Sequence, residues 1–157
     1  MLKIVYAFFL GILLAISVGM GVAAFYPQPE GPTYPSELNF VNKEPTQQQQ
    51  QSQKDFDAQQ RAWEDKMKPY NRNVSIITMV AALVFMAIGL LLEQKIGVLA
   101  DGILLGGVLT LLYSMGRGFA SQNSKYSFVV ALIGVVIAIA LGYLRFIKPD
   151  HRLALKP

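Results

Sequence analysis

The sequence predicts an all-α integral membrane protein: four transmembrane helices in a mostly up-down bundle, with a polar extracytoplasmic helix between spans one and two. Three observations carry this reading. Charged residues make up only 15% of the 157-residue chain, against about 25% in ordinary globular domains. Four long runs are almost free of charge. Inside those runs, small residues recur at four-residue intervals. A soluble fold would have to bury four helices that are apolar all round, with little polar surface left to cover them.

Span one lies near 3–26. No charge separates Lys3 from Glu30, and the run ends on the small residues Val22, Ala23 and Ala24, as a secretory signal would. The apolar stretch is longer than the 7–15 residues usual in a signal peptide. Residues 1–26 are therefore expected to be an uncleaved signal-anchor. Residues 27–72 form the expected extracytoplasmic segment. Its first part, "YPQPEGPTYPSELNFVNKEP", is rich in proline, which fixes φ and removes amide donors, so it should be extended. A Gln-rich stretch follows, with residues that tolerate helix well. The expected helix covers 52–68, with a possible start at Pro45 and Thr46, and 47–51 are ambiguous. Phe56, Trp63, Met67 and Tyr70 share one stripe at helical spacing, read as a surface for a partner. Pro69 should kink or interrupt the chain before span two.

Residues 73–157 hold spans two to four, near 74–92, 96–116 and 126–146, and a basic tail. Each run has the roughly 18–20 residues needed to cross a hydrocarbon core. The link "EQK", Glu93 to Lys95, is short enough to force an antiparallel hairpin, and "RGFASQNSK" is also short. Orientation follows basic residues in short flanks. Lys3 at the start and Arg145, Lys148, Arg152 and Lys156 in the tail favour cytoplasmic termini. Lys66, Lys68 and Arg72 disagree. The expected location is the cell (plasma or inner) membrane, multi-pass.

The small-residue ladders are Ala7, Gly11, Ala15, Gly19 and Ala23 in span one; Gly102, Gly106, Thr110, Ser114 and Gly118 in span three; and Gly134, Ala138 and Gly142 in span four. Lipid tails are as apolar as leucine, so membrane helices associate through close backbone approach at small residues. Each four-residue step winds the ladder by about 40°. Over its length it turns too far for one straight partner, so either the crossing is short or two partners use its two ends. Asp101 sits just inside the expected cytoplasmic end of span three. Arg145, on span four at the same end, is its simplest partner. Asp101, Thr110, Ser114 and Arg145 together are the intramembrane polar set.

Catalytic chemistry is not expected. There is no cysteine and one histidine, His151, in the tail. "SMGRG" lacks the strand-turn-helix setting of a nucleophile elbow. No catalytic, cofactor or metal residues are assigned. The net charge of +4 lies at span ends and in the tail, so it fits a membrane surface better than nucleic acid. The expected partners are the lipid bilayer and either further copies of the chain or a larger membrane complex. The expected role is a non-enzymatic membrane subunit or scaffold. The alternative is a small oligomeric channel or transporter with Asp101 in its path.

Overall fold

The computed structural model describes residues 1–35 and 46–144, apart from the Gln94 side chain. These residues form four α-helices: α1 (Leu2–Phe25), α2 (Gln47–Ile96), α3 (Val98–Ala120) and α4 (Ser124–Gly142). No strand occurs among them. Each helix contains a stretch long and apolar enough to cross a membrane.

The polar helix and span two are one element. α2 runs for 50 residues, about 75 Å at 1.5 Å per residue. It starts earlier than residue 52, because Gln49 Oε1 accepts from the Thr46 amide at 2.8 Å and from its hydroxyl at 2.9 Å. That ties down the first turn and makes the Gln-rich 47–51 helical. Pro69 lies inside the helix and does not end it. Proline removes one backbone bond and crowds the preceding turn, a cost of about 3 kcal/mol. The residues that follow offset this. Tyr70, Asn71, Val74 and Ser75 are all buried, so the helix is held in phase by packing just past the proline.

The α2–α3 connection is tighter than "EQK" implied. Glu93 and Lys95 are helical, and Gly97 alone separates the helices. Its φ of 42° is a left-handed value that glycine adopts without a Cβ clash. α3 also extends further than residue 116. Arg117 to Ala120 are its last residues, and Ser121 to Asn123 make the link to α4. Asn123 caps α4, its side chain accepting from the Tyr126 amide at 3.1 Å.

α3 is the central helix. It packs most extensively on α2, then on α1, and also against α4. One apolar cluster joins Ala82 and Met86 of α2 to Leu111 of α3, with Ile137 and Leu141 of α4 against it. A second joins Val22 of α1 to Tyr70 and Val74 of α2, with Tyr26 and Met67 alongside. The outer faces of α1 and α4 stay bare: Leu2, Phe8, Phe9, Met20, Phe128, Val136 and Ile139 are all more than half exposed.

Candidate functional site

All five members of the α3 ladder are buried, and they meet different neighbours along its length. A Cβ on Gly102 would lie 2.8 Å from Leu10 and 3.1 Å from the Ala7 carbonyl. On Gly106 it would meet Leu14 at 3.0 Å and the Gly11 carbonyl at 3.3 Å. The start of the ladder therefore faces α1. On Gly118 it would meet Ser75 of α2 at 3.1 Å and Val130 of α4 at 3.4 Å. The winding of a four-residue ladder is the cause, since about 40° per step carries it off one neighbour and onto the next. Gly107, outside the ladder, is the tightest position: its Cβ would lie 2.6 Å from Met86 Cγ and 3.0 Å from the Ala82 carbonyl.

The other ladders are used in part. Gly11 is buried against Leu105 and Gly106, and Ala7 and Ala15 are partly covered. Gly19 has nothing within 4 Å of a built Cβ, and Ala23 is exposed. In α4, Gly134 is buried against Met115 at 3.0 Å, whereas Gly142 has nothing within 4 Å and Ala138 is exposed. The same winding takes Gly19, Ala23, Ala138 and Gly142 away from α3.

Between α2 and α3 lies a hydroxyl clasp. Ser75 Oγ donates to the Ser114 carbonyl at 2.8 Å, and Ser114 Oγ donates to the Ser75 carbonyl at 2.7 Å. Both residues are fully buried. Thr110 donates to the Gly106 carbonyl at 2.7 Å and Thr78 to the Val74 carbonyl at 2.8 Å. Each of these buried hydroxyls has thus placed its proton on a backbone carbonyl, which is what an apolar setting demands.

One helical turn beyond the clasp, the bundle ends in a polar cluster built on Arg117. Its Nε donates to Tyr113 Oη at 3.0 Å and its Nη1 donates to Asn71 Oδ1 at 2.9 Å. The guanidinium carbon lies 5.8 Å from the Tyr70 ring centre and 5.5 Å from that of Tyr113, within cation–π range. Asn71 Nδ2 donates to the Ala120 carbonyl at 3.2 Å. Tyr70 stacks on Tyr26, ring centres 5.2 Å apart, and donates to its carbonyl at 3.1 Å. Asn73 closes the group by donating to Tyr26 Oη at 3.0 Å. The end of α1 is joined here to α2 and α3.

The aromatic stripe on α2 is partly covered by the chain itself. Trp63 Nε1 donates to the Pro29 carbonyl at 2.9 Å, and Gly31 lies against the indole ring. Tyr34 meets Phe56 edge-on at 5.3 Å, and Met67 and Tyr70 pack with Val22. The stripe read as a surface for a partner is thus partly covered within the chain, Phe56 and Trp63 by residues 29–34 and Met67 and Tyr70 by Val22 and Tyr26. An extended proline-rich strand leaves carbonyls free and fits flat aromatic faces.

Asp101 is exposed in the first turn of α3, where the helix dipole favours a carboxylate. Arg145, its expected partner, lies outside the described residues.

Arg117, Asn71, Tyr26 and Tyr113 were not singled out from sequence as site residues; Ser75 was legible only as a polar position on span two, without its partner. A signal existed: in a hairpin turning at Glu93–Lys95, residues equidistant from the turn face each other. Ser75 with Ser114, and Asn71 with Arg117, satisfy that rule closely. No group of three or more His, Asp or Glu side chains that could hold a metal occurs among the described residues. The arrangement is one of packing and polar clasps. No protein-family model, curated protein or solved structure matches the chain.

Proposed function

We propose that this chain is a non-enzymatic integral membrane subunit or scaffold that acts through helix–helix association. The observation that carries the reading is the contrast between α3 and its neighbours. α3 buries its small residues against the other helices, while α1 and α4 keep broad apolar outer faces exposed. Those faces suit lipid or other subunits, whether further copies or a larger complex. Contact registers support an up-down bundle. Residue numbers rise together along α1 and α3, and run oppositely between α3 and both α2 and α4. The start of α1 and the end of α4 then share one end, assigned to the cytoplasmic side of a cell membrane because Lys3, Lys95 and, in sequence, the cations after α4 adjoin it.

The test of function is the mass of the intact assembly after purification in mild detergent. A defined oligomer or a retained foreign subunit is expected; a bare monomer overturns the subunit reading. Orientation has its own test. A cysteine placed at Ser52 should react with an impermeant thiol reagent applied from outside, and one at Leu155 should not.

The second reading is an oligomeric channel or transporter with Asp101 in its path. The exposure of Asp101 favours it, and intramembrane acids often mark pathways. Against it, Thr110 and Ser114 are committed to backbone carbonyls within the chain. Loss of ion or proton flux in proteoliposomes carrying Asp101→Asn would promote this reading.

A further inference from the structure

At the α3–α4 link the chain forms an open, solvent-facing cavity of about 470 Å³ lined by Lys68, Pro69, Arg72 and the run Ser121 to Lys125. Its charge is one-signed: three cations and no acidic side chain line it. Lys68 is shared with Asp65, which lies outside the lining, at 2.8 Å. That bond and charge hold the Lys68 ammonium above its ordinary pKa. The side chains of Arg72 and Lys125 form no ion pair with any described residue. They approach the cavity from different helices, and the two backbones are tied together: Tyr126 Oη donates to the Arg72 carbonyl at 3.3 Å.

The neutral lining is polar and rich in donors. Ser124 and Lys125 open α4, and the first amides of a helix have no partner within it. Asn123 takes up only the amide of Tyr126 among these. The Ser124 hydroxyl and the Gln122 side-chain carboxamide add donors to the lining. Two cations with no ion pair among the described residues, a helix start and a hydroxyl around one hollow match the needs of a tetrahedral oxyanion. The cavity also sits at a defined depth. Pro69 to Arg72 immediately precede the uncharged run of α2, and Ser121 to Lys125 that of α4.

We propose that this cavity binds a phosphate group, with Arg72 and Lys125 as its charge partners and the start of α4 as its amide donor. The phosphate comes from an anionic lipid headgroup or from a soluble phosphate. The lipid source rests on the membrane reading above; the soluble source does not.

The experiment uses the full chain in a neutral maltoside detergent, titrated calorimetrically. One arm adds dioctanoyl phosphatidylglycerol, with dioctanoyl phosphatidylcholine as the zwitterionic control. The other arm adds inorganic phosphate. Saturable binding of phosphatidylglycerol in preference to phosphatidylcholine identifies a lipid site, and saturable binding of inorganic phosphate identifies a soluble one. Either supports the proposal. R72Q/K125Q should weaken the bound species by roughly tenfold or more, since two charge-assisted bonds are lost. Both side chains are exposed, so the fold should survive. Ser124→Asp keeps an acid at a helix start, where it is tolerated, yet it should abolish binding by repulsion. K54Q/R61Q removes the same charge from the distal part of α2 and should leave affinity unchanged. Three results overturn the proposal: no saturable binding of either probe, unchanged affinity in both R72Q/K125Q and Ser124→Asp, or an equal loss in K54Q/R61Q. The assembly's mass is read separately, so failure of this site leaves the subunit reading standing.

Discussion

α3 and α4 are both membrane-length apolar helices, yet they hold opposite places in the bundle. α3 has the least apolar membrane-length stretch of the four helices and the most buried, 39% of that stretch against 11% for α4. Hydropathy alone would invert that order. In water the most apolar helix goes inside, because burial removes it from solvent. In lipid that force is absent, and the inside belongs to the helix whose backbone can be approached most closely. α3 offers Gly102, Gly106, Gly107 and Gly118, together with Thr110 and Ser114. α4 offers Gly134 on its buried side and presents Phe128, Val129, Leu132 and Val136 outward. The contrast teaches that small residues and hydroxyls, rather than apolarity, select the central helix.

The largest expected effect tests that contrast directly. Gly107→Leu forces a side chain against the Met86 backbone and the Ala82 carbonyl, both 3.0 Å from a built Cβ. Backbone cannot yield as a side-chain tip can, so the loss should be about 3 kcal/mol or more. Gly106→Leu should behave similarly. Gly142→Leu and Gly19→Leu, with nothing within 4 Å, should leave the thermal midpoint in detergent nearly unchanged. Equal destabilisation at Gly107 and Gly19 would break the comparison.

A smaller effect is expected at the polar end. Arg117→Gln removes the guanidinium from Tyr113, Asn71 and two aromatic rings, and leaves Asn71 buried with an unmet acceptor. A loss of about 1–3 kcal/mol follows. Arg117→Lys should not restore it, because an ammonium lacks the planar fork that reaches both partners. Chemical denaturation of the three proteins in one detergent measures this. Full rescue by lysine would reduce the cluster to a simple charge effect.

The smallest effect sharpens the role of hydroxyls. Ser75→Ala and Ser114→Ala should each cost about 0.6 kcal/mol, the average for hydrogen bonds between membrane helices. The double variant should cost less than the sum, since both bonds depend on one close approach of α2 and α3. Strict additivity would show the two hydroxyls acting independently.

Much of the fold was legible in the residues. Uncharged runs mark where helices can cross lipid, because a buried charge is expensive there. Four-residue spacing marks a face, because the helix repeat is 3.6. The short link expected at Glu93–Lys95 dictates a hairpin, and with it the facing of Ser75 and Ser114, although the turn itself falls at Gly97. The aromatic stripe was legible as a contact surface, but it was read as one for a partner. That residues 29–34 meet its Phe56 and Trp63 was not legible, since nothing local in a proline-rich segment records which helix it will meet.

Sequence by itself determined the number of membrane-length apolar helices, the hairpin and the set of small residues that could pack, because hydropathy and periodicity are local properties. Only the tertiary structure decided three further matters: that α3 is central, that Pro69 lies within one continuous helix, and that Arg117 joins Tyr70 and Asn71. Each depends on groups far apart in the chain. The preference of one helix face for another is a difference between many close contacts, and no single residue carries it. The cost of a proline is likewise met by packing just beyond it. The place of a cation is set by which aromatic rings and amides the neighbouring helices bring to it.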